Sequence, residues 1–129
     1  MDALQALLSA ELNIETSVHL KRLGVDLVFK AIDGKTLAKL QEQATHYVGK
    51  GAKREAQLDE QKFGASLIAT ASKTLNFGDA QLLKKYEASD AGDCVQKALL
   101  AGEIAKVTQA VMEVSGFNDM DDQVEDAKN

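Results

Sequence analysis

Between Leu99 and Asn129 the chain carries a helical apolar stripe that stops abruptly and gives way to acid. Leu100, Ile104, Val107, Val111 and Val114 recur at spacings of four and three, which places them on one side of an α-helix and obliges that helix to pack against something. Ser115-Gly116-Phe117 marks the stop, because Gly116 can take the left-handed conformation that closes a helix and Phe117 can fold back on the last turn. Beyond it Asp119, Asp121, Asp122, Glu125 and Asp126 face only Lys128, with Met120 and Val124 as the sole sizeable apolar side chains. Such a segment buries too little to fold alone and is expected to stay unfolded until a partner orders it. The expectation is one helix-rich domain over residues 1–117 and a disordered, flexible acidic tail over 118–129.

A chain of 129 residues suffices for one core and falls short of two. Only 5% of it is aromatic and Trp and Pro are absent, so Leu, Ile, Val and Ala must fill that core, a palette suited to helices. The formal charge of −5 and the absence of a basic cluster argue against a nucleic-acid surface, which requires grouped Lys and Arg. Cys94 is the single cysteine, so no internal disulfide forms and a reducing cytoplasm is the natural setting. Asp2 stands where a secretory signal would need a cation, and no segment approaches the roughly 20 apolar residues of a membrane span. A soluble product that stays where it is made is expected.

Residues 2–12 read as a short helix with Leu4, Leu7, Leu8 and Leu12 on one side, able to dock on the domain or on a partner. Ser17–Lys21 and Val25–Lys30 are rich in β-formers around a break at Arg22-Leu23-Gly24, which predicts a hairpin at about 17–31. Two strands are marginal in water and need a helix over one face or a strand from another subunit. Asp33 caps a helix predicted from Gly34 to about Val48, with Leu37, Leu40, Ala44 and Tyr47 inward, and Gly49-Lys50-Gly51 ends it. Ala52–Gln57 is charged and apolar-poor, and is expected to be a mobile loop. Asp59 opens a helix through about Leu75 that buries Phe63, Leu67, Ile68 and Ala71, and Asp79 opens a short one carrying Leu82, Leu83 and Tyr86. Asp90 opens the long final helix, near 91–115, with Asp93 and Lys97 four apart in the favourable order. The fold class is mainly α, an α+β arrangement of four to five helices with one short β-hairpin.

An enzyme needs positioned groups of matched acidity, and the supply here is thin. His19 and His46 are far apart and share no motif. Cys94 has no nearby histidine; the first turn of its helix can lower its pKa, but a small half-buried residue is the role expected of it. A calcium loop from Asp119 fails because Val124 stands where glycine is required and the chain ends before a twelfth-position Glu. No glycine-rich phosphate loop follows a strand. No catalytic, metal or cofactor site is expected.

The order of elements, with Leu99-Leu100-Ala101-Gly102-Glu103-Ile104, Ser115-Gly116-Phe117 and the terminal Glu125-Asp126-Ala127-Lys128-Asn129, resembles the tail assembly chaperones of long-tailed phages and prophages of Gram-positive bacteria. Looser support comes from Arg22-Leu23-Gly24 and Ala31-Ile32-Asp33-Gly34-Lys35. The likeness spans nearly the whole chain. One departure is the lack of proline between Leu75 and Asp90, which bears on the loop geometry there.

The resemblance implies a non-enzymatic protein of the host bacterial cytoplasm that binds the tape-measure protein and keeps it soluble until tail-tube subunits polymerise, and that is absent from the finished virion. Its implied partners are the tape-measure protein, the tail-tube protein and a frameshifted long form of the same chain, with weak homo-oligomerisation admitted and neither nucleic acid nor membrane involved. This chain looks like the short form. Expected partner-binding residues are Glu103, Phe117, Met120, Asp121, Asp122, Val124 and Glu125. Gly102 is expected to let a neighbouring helix approach. Glu103 has two open readings, an anchor for a loop or a partner's backbone amide and a solvated partner of Lys106. The stripe from Leu100 to Val114 is read as core before client site, and the tail as partner contact or plain solubiliser. The rival function is a structural virion component, such as a head–tail joining protein or tail terminator.

Overall fold

The computed structural model describes residues 2–11 and 13–117, and five of its helices begin at an aspartate. Asp2, Asp33, Asp59, Asp79 and Asp90 precede α1 (Ala3–Ser9), α2 (Gly34–Gln43), α3 (Glu60–Ala71), α4 (Ala80–Tyr86) and α5 (Ala91–Ala98). Each carboxylate accepts a backbone N–H two or three residues on, from Gln5, Thr36, Lys62, Gln81 and Asp93 at 2.8–3.1 Å. These bonds satisfy donors that a helix start would otherwise strand. A sixth helix, α6 (Ala101–Met112), runs into a wide terminal turn, Glu113–Phe117. The fold is mainly α with a small β part.

β1 (Glu15–Leu20) and β2 (Val25–Lys30) form the expected antiparallel hairpin, with Val18 opposite Leu27 and His19 opposite Asp26. Period-two alternation sends Val18, Leu20, Leu27 and Phe29 to one buried face. Helix α6 packs on β1 and α3 on β2, so the hairpin has the helical cover that two strands need. Helix α3 is central, touching α2, α5 and α6, and its Leu67, Ile68 and Ala71 are fully buried with Val95, Val107 and Val111. No charged or polar side chain is buried among the described residues.

Several expectations need correction. The helix predicted to reach Val48 stops at Gln43, and Thr45–Val48 becomes β3 of a second antiparallel hairpin with β4 (Glu55–Leu58). Thr, Tyr and Val favour strand, Gly49 turns at φ +87°, and the Thr45 hydroxyl donates to Gln41 O at 2.6 Å and so closes the helix. Tyr47 is therefore exposed instead of facing inward, and much of the loop predicted at 52–57 is strand, preceded by a 3-10 turn, Gly51–Lys53. Helix α3 ends at Ala71 and not near Leu75, because the chain turns onto the free edge of β2. Lys73 N donates to Val28 O at 2.9 Å, and Val28 N donates to Thr74 Oγ1 at 3.1 Å.

The long final helix is two helices. Leu99 and Leu100 are extended (ψ 146° and 155°), so α5 and α6 meet at an angle and the apolar stripe starts at Ile104, with Leu100 58% exposed. The helix count is thus six among the described residues, against the four to five expected. Gly116 does take the left-handed conformation in the turn Glu113–Phe117, at φ +102°.

Candidate partner-binding surface

Glu103 sits at the α5–α6 break, and its carboxylate is held from two sides. Leu100 N donates to Oε1 at 2.8 Å, the Glu half of a capping box whose other half a leucine cannot supply. Arg22, in the turn of the first hairpin, donates through Nε to Oε2 at 3.0 Å and through Nη2 to Oε1 at 2.7 Å. The same guanidinium donates to Ala98 O at 3.1 Å. One planar fork thus satisfies the last carbonyl of α5 while pairing with the acid that caps α6. The Arg22 guanidinium and the Leu100 amide hold the Glu103 carboxyl below its ordinary range, and the carboxylate raises Arg22 in turn. Of the two readings of Glu103, the loop anchor within its own chain is the one found. Lys106 donates instead to His19 O at 2.8 Å, a second tie between hairpin and α6.

Among the described residues nothing lies within 4 Å of where a Cβ on Gly102 would stand, so no described helix approaches there. His19 and Asp26 face each other across the hairpin at 2.6 Å on the exposed side, far in sequence from His46 in β3. Cys94 is fully buried where a half-buried residue was expected, and burial pushes its thiol up, against the lowering that a helix start can give. No group of three or more His, Cys, Asp or Glu placed to hold a metal occurs among the described residues. No described helix is long and apolar enough to cross a membrane.

Phe117 is half-buried at the end of the terminal turn. Nearby, Ser115 Oγ accepts from Ile32 N at 2.9 Å and donates to Val111 O at 2.7 Å. Ile14, Ile32, Val114 and Gly116 line a shallow hollow of about 590 Å³ beside this point. Met120, Asp121, Asp122, Val124 and Glu125 lie outside the described residues.

The exposed apolar surface is concentrated elsewhere. Leu4, Leu7 and Leu8 on α1 are 67%, 79% and 76% exposed, on one face of a helix with no buried residue. Leu12, read as part of that face, lies outside the described residues. Tyr47 and Leu58 on the second hairpin are also exposed.

A family model described as phage XkdN-like tail assembly chaperone protein, TAC, matches residues 4–128. The chain belongs to this family. It is 32% identical over 108 residues to the uncharacterized protein YqbN of Bacillus subtilis strain 168, across 81% of this chain and 72% of YqbN. It is 27% identical over 108 residues to the phage-like element PBSX protein XkdN of the same strain, across 81% of this chain and 73% of XkdN. The crystal structure of YqbN matches with a TM-score of 0.59 over 80% of this chain and 85% of that chain, at 22% identity, which shows a shared fold.

Within this tail assembly chaperone family member, the leucine face of α1 was readable as an amphipathic period. The second hairpin was missed. Its signal was Thr45-His46-Tyr47-Val48 before Gly49, hidden by the helical spacing of Leu37, Leu40, Ala44 and Tyr47.

Proposed function

We propose that the protein binds the tape-measure protein of its own phage in the host cytoplasm and keeps it soluble until tail-tube subunits polymerise and displace the chaperone, performing no catalysis and leaving no copy in the virion. The observation that carries this reading is the family match over residues 4–128. The physical support is a well-packed core bearing an apolar helix that buries none of its residues among the described ones. A long helical client exposes apolar stripes that aggregate when bare, and Leu4, Leu7 and Leu8 offer a matching strip for such a helix. Burying each leucine contributes roughly 1.5–3 kcal/mol before the entropy of ordering is subtracted, a weak contact per copy. Many copies on one client supply avidity, and weak single contacts permit stepwise release.

Glu103 contributes indirectly in this scheme, by holding the α5–α6 break, whereas Phe117, Met120, Asp121, Asp122, Val124 and Glu125 we assign to contacts between proteins of the coat. The tail-tube protein and a frameshifted long form complete the set of partners. The test is co-expression with the tape-measure protein of the same phage. The client is expected in the soluble fraction with the wild-type chain and in the pellet with Leu4→Ser/Leu7→Ser/Leu8→Ser. Equal insolubility with and without the chain and its long form sinks the reading. A head–tail joining or terminator role would instead leave the protein in purified particles, where mass spectrometry detects it.

A further inference from the structure

The second hairpin is an arm that continues directly from the end of α2. β3 and β4 form a separate two-stranded sheet, and every residue of both strands is exposed except Thr45, which is half-buried. Among the described residues both edges of the arm are unpaired, and an open edge accepts a further strand. The base is pinned by Asp59 N donating to Ala44 O at 2.8 Å. At the tip, Gly49 is obligatory, since a Cβ there would stand 2.5 Å from Lys53 O. The register pairs Thr45 with Leu58 and Tyr47 with Ala56, so these four share one face, and the Arg54 guanidinium lies over the Tyr47 ring at 4.2 Å. Charge on α2 and the arm runs against the rest of the chain. Lys35 and Lys39, four apart on one exposed side of α2, lead on to Lys50, Lys53 and Arg54, five cations against Glu42 and Glu55 in a protein of net charge −5. The ion pairs among the described residues involve none of these five.

We propose that the acidic segment beyond Phe117 docks on its own chain as a strap, running along α2 and adding to an open edge of the arm. The segment leaves the domain at the start of α2: Ser115 and Gly116 line one hollow with Ile32, Gly34 and Thr36, and Ser115 Oγ accepts from Ile32 N at 2.9 Å. From there its acids meet the cations in order. Asp119, Asp121 and Asp122 lie two to five residues beyond Phe117, a reach of about 7–17 Å that covers Lys35 and Lys39, about 6 Å apart along the helix. Helix α2 has ten residues and is about 15 Å long. The Arg54 charge, drawn back over Tyr47 three residues past Ala44, stands about 10 Å farther on. Glu125 and Asp126, eight and nine residues beyond Phe117, reach about 27–31 Å, enough for that whole path of about 25 Å. The two apolar side chains fit the same course. Met120, three residues beyond Phe117, falls at the hollow that Ile14, Ile32 and Val114 line, and Val124 falls at the exposed face of Tyr47 and Leu58. A tether this short gives the chain's own segment an effective concentration in the millimolar range, so it excludes a segment from another molecule at lower protein concentrations. The strap occupies Met120, Asp121, Asp122, Val124 and Glu125, which the function proposed above gives to contacts between proteins of the coat. Those contacts then require its release, a consequence that rests on that reading, whereas the docking itself does not.

The test is nuclear magnetic resonance of the purified full chain, below millimolar concentration and without any client, carrying a nitroxide on Lys128→Cys; Cys94 is buried and does not take the label. The amides of Tyr47, Lys53 and Arg54 are expected to broaden, equally after about tenfold dilution. The broadening is expected to fade when salt rises from about 0.05 to about 0.5 M, since the pairs are exposed. In a mixture of isotope-labelled chain truncated after Phe117 with the nitroxide-bearing full chain, the arm of the truncated form is expected to stay sharp. Reversal of charge in the segment, Asp121→Lys/Asp122→Lys/Glu125→Lys/Asp126→Lys, is expected to abolish the broadening without touching the domain. Joining it to Lys35→Glu/Lys39→Glu/Lys50→Glu/Lys53→Glu is expected to restore it. Arm signals that stay sharp in the labelled full chain overturn the proposal. So does equal broadening of the truncated form in the mixture, which places the contact between molecules, or a segment reversal that leaves the broadening intact.

Discussion

Leu100 and Val107 stand one heptad apart on the same sequence stripe, yet the break between α5 and α6 sends one outward and the other inward. The same substitution therefore has opposite consequences at the two positions. Val107 is fully buried against α3 and the first hairpin. Val107→Ser removes about two methylene equivalents at ~0.8 kcal/mol each, leaves a partial cavity, and buries a hydroxyl, for a total of about 3 kcal/mol. At about 4 °C per kcal/mol for a chain of this size, the midpoint falls by about 12 °C. Leu100 is the residue before the first turn of α6, more than half exposed, with no side-chain acceptor for the Glu103 amide. Leu100→Ser supplies that acceptor and completes the box, a change of between zero and about 1 kcal/mol in favour of the fold. Thermal melts followed at 222 nm and urea titrations on the two variants measure the difference. Val107→Asp carries the argument to its limit: a carboxylate in that core costs several kcal/mol beyond the lost methyls, comparable with the whole stability of a small domain, and no cooperative melt above room temperature is expected. If Leu100→Ser loses as much as Val107→Ser, the helix runs unbroken from Ala91 and the angle at Leu99-Leu100 is wrong.

Three further outcomes follow from the local geometry. Glu103, Asp33 and Asp93 all have carboxyls held below their ordinary range by hydrogen bonds and cations; a depressed folded pKa contributes stability above the unfolded value, near pH 4, and loses it as pH falls through the folded one. The melting temperature should thus be level from about pH 6 to 7 and drop below about pH 4.5, less steeply in Glu103→Gln, whereas an identical acid limb in that variant removes Glu103 from the account. Cys94, whose thiol is pushed up by burial, should resist iodoacetamide in the native protein and react once urea unfolds it; rapid native alkylation, read by mass shift, would show that the α3–α5 interface opens. Gly49→Ala should disorder the tip of the arm while leaving the core melt unchanged, visible as loss of the Arg54–Tyr47 contact in side-chain resonances; undisturbed resonances would refute the tight turn.

What the sequence disclosed and what it hid divide along the range of the interactions. The five aspartate caps act over two or three residues, and those at Asp33, Asp59, Asp79 and Asp90 were readable from their own neighbourhoods. The first hairpin was readable for the same reason, a period of two around a glycine turn. The break at Leu99-Leu100 was not, because the groups that stabilise it come from Arg22, which is 81 residues before Glu103. The one local signal at Leu99-Leu100, Glu103 three residues on, lacks the Ser, Thr, Asp or Asn that would complete a capping box; only the hairpin, once packed, offers the guanidinium that satisfies Ala98 O. Tyr47 shows the converse. Its spacing from Leu40 and Ala44 fits a helix, but Thr45 closes the helix before it and Gly49 turns the chain after it, so local capping chemistry overrode apolar period.

The candidate partner surface falls on the elements with the least support from the core. A seven-residue helix with no buried residue is shorter than an isolated helix needs to be stable in water, and a lone hairpin is equally marginal. Both are therefore populated weakly compared with α3 and α6, whose buried residues form one cluster with the first hairpin. Elements of this kind gain order when they bind, so part of each contact energy is spent on folding them and the net affinity stays low. In the role proposed above, where the chaperone is displaced, that favours release: a rigid hairpin or helix would bind harder and release slower. Stabilising α1 in isolation, for example by Ser9→Ala together with Ala10→Lys, should then slow exchange on the client without altering the core melt. If pulse-chase release from the co-expressed tape-measure protein is unchanged although the helix is measurably more populated by amide protection, weak folding of α1 does not set the release rate, and the leucine face is a passive surface.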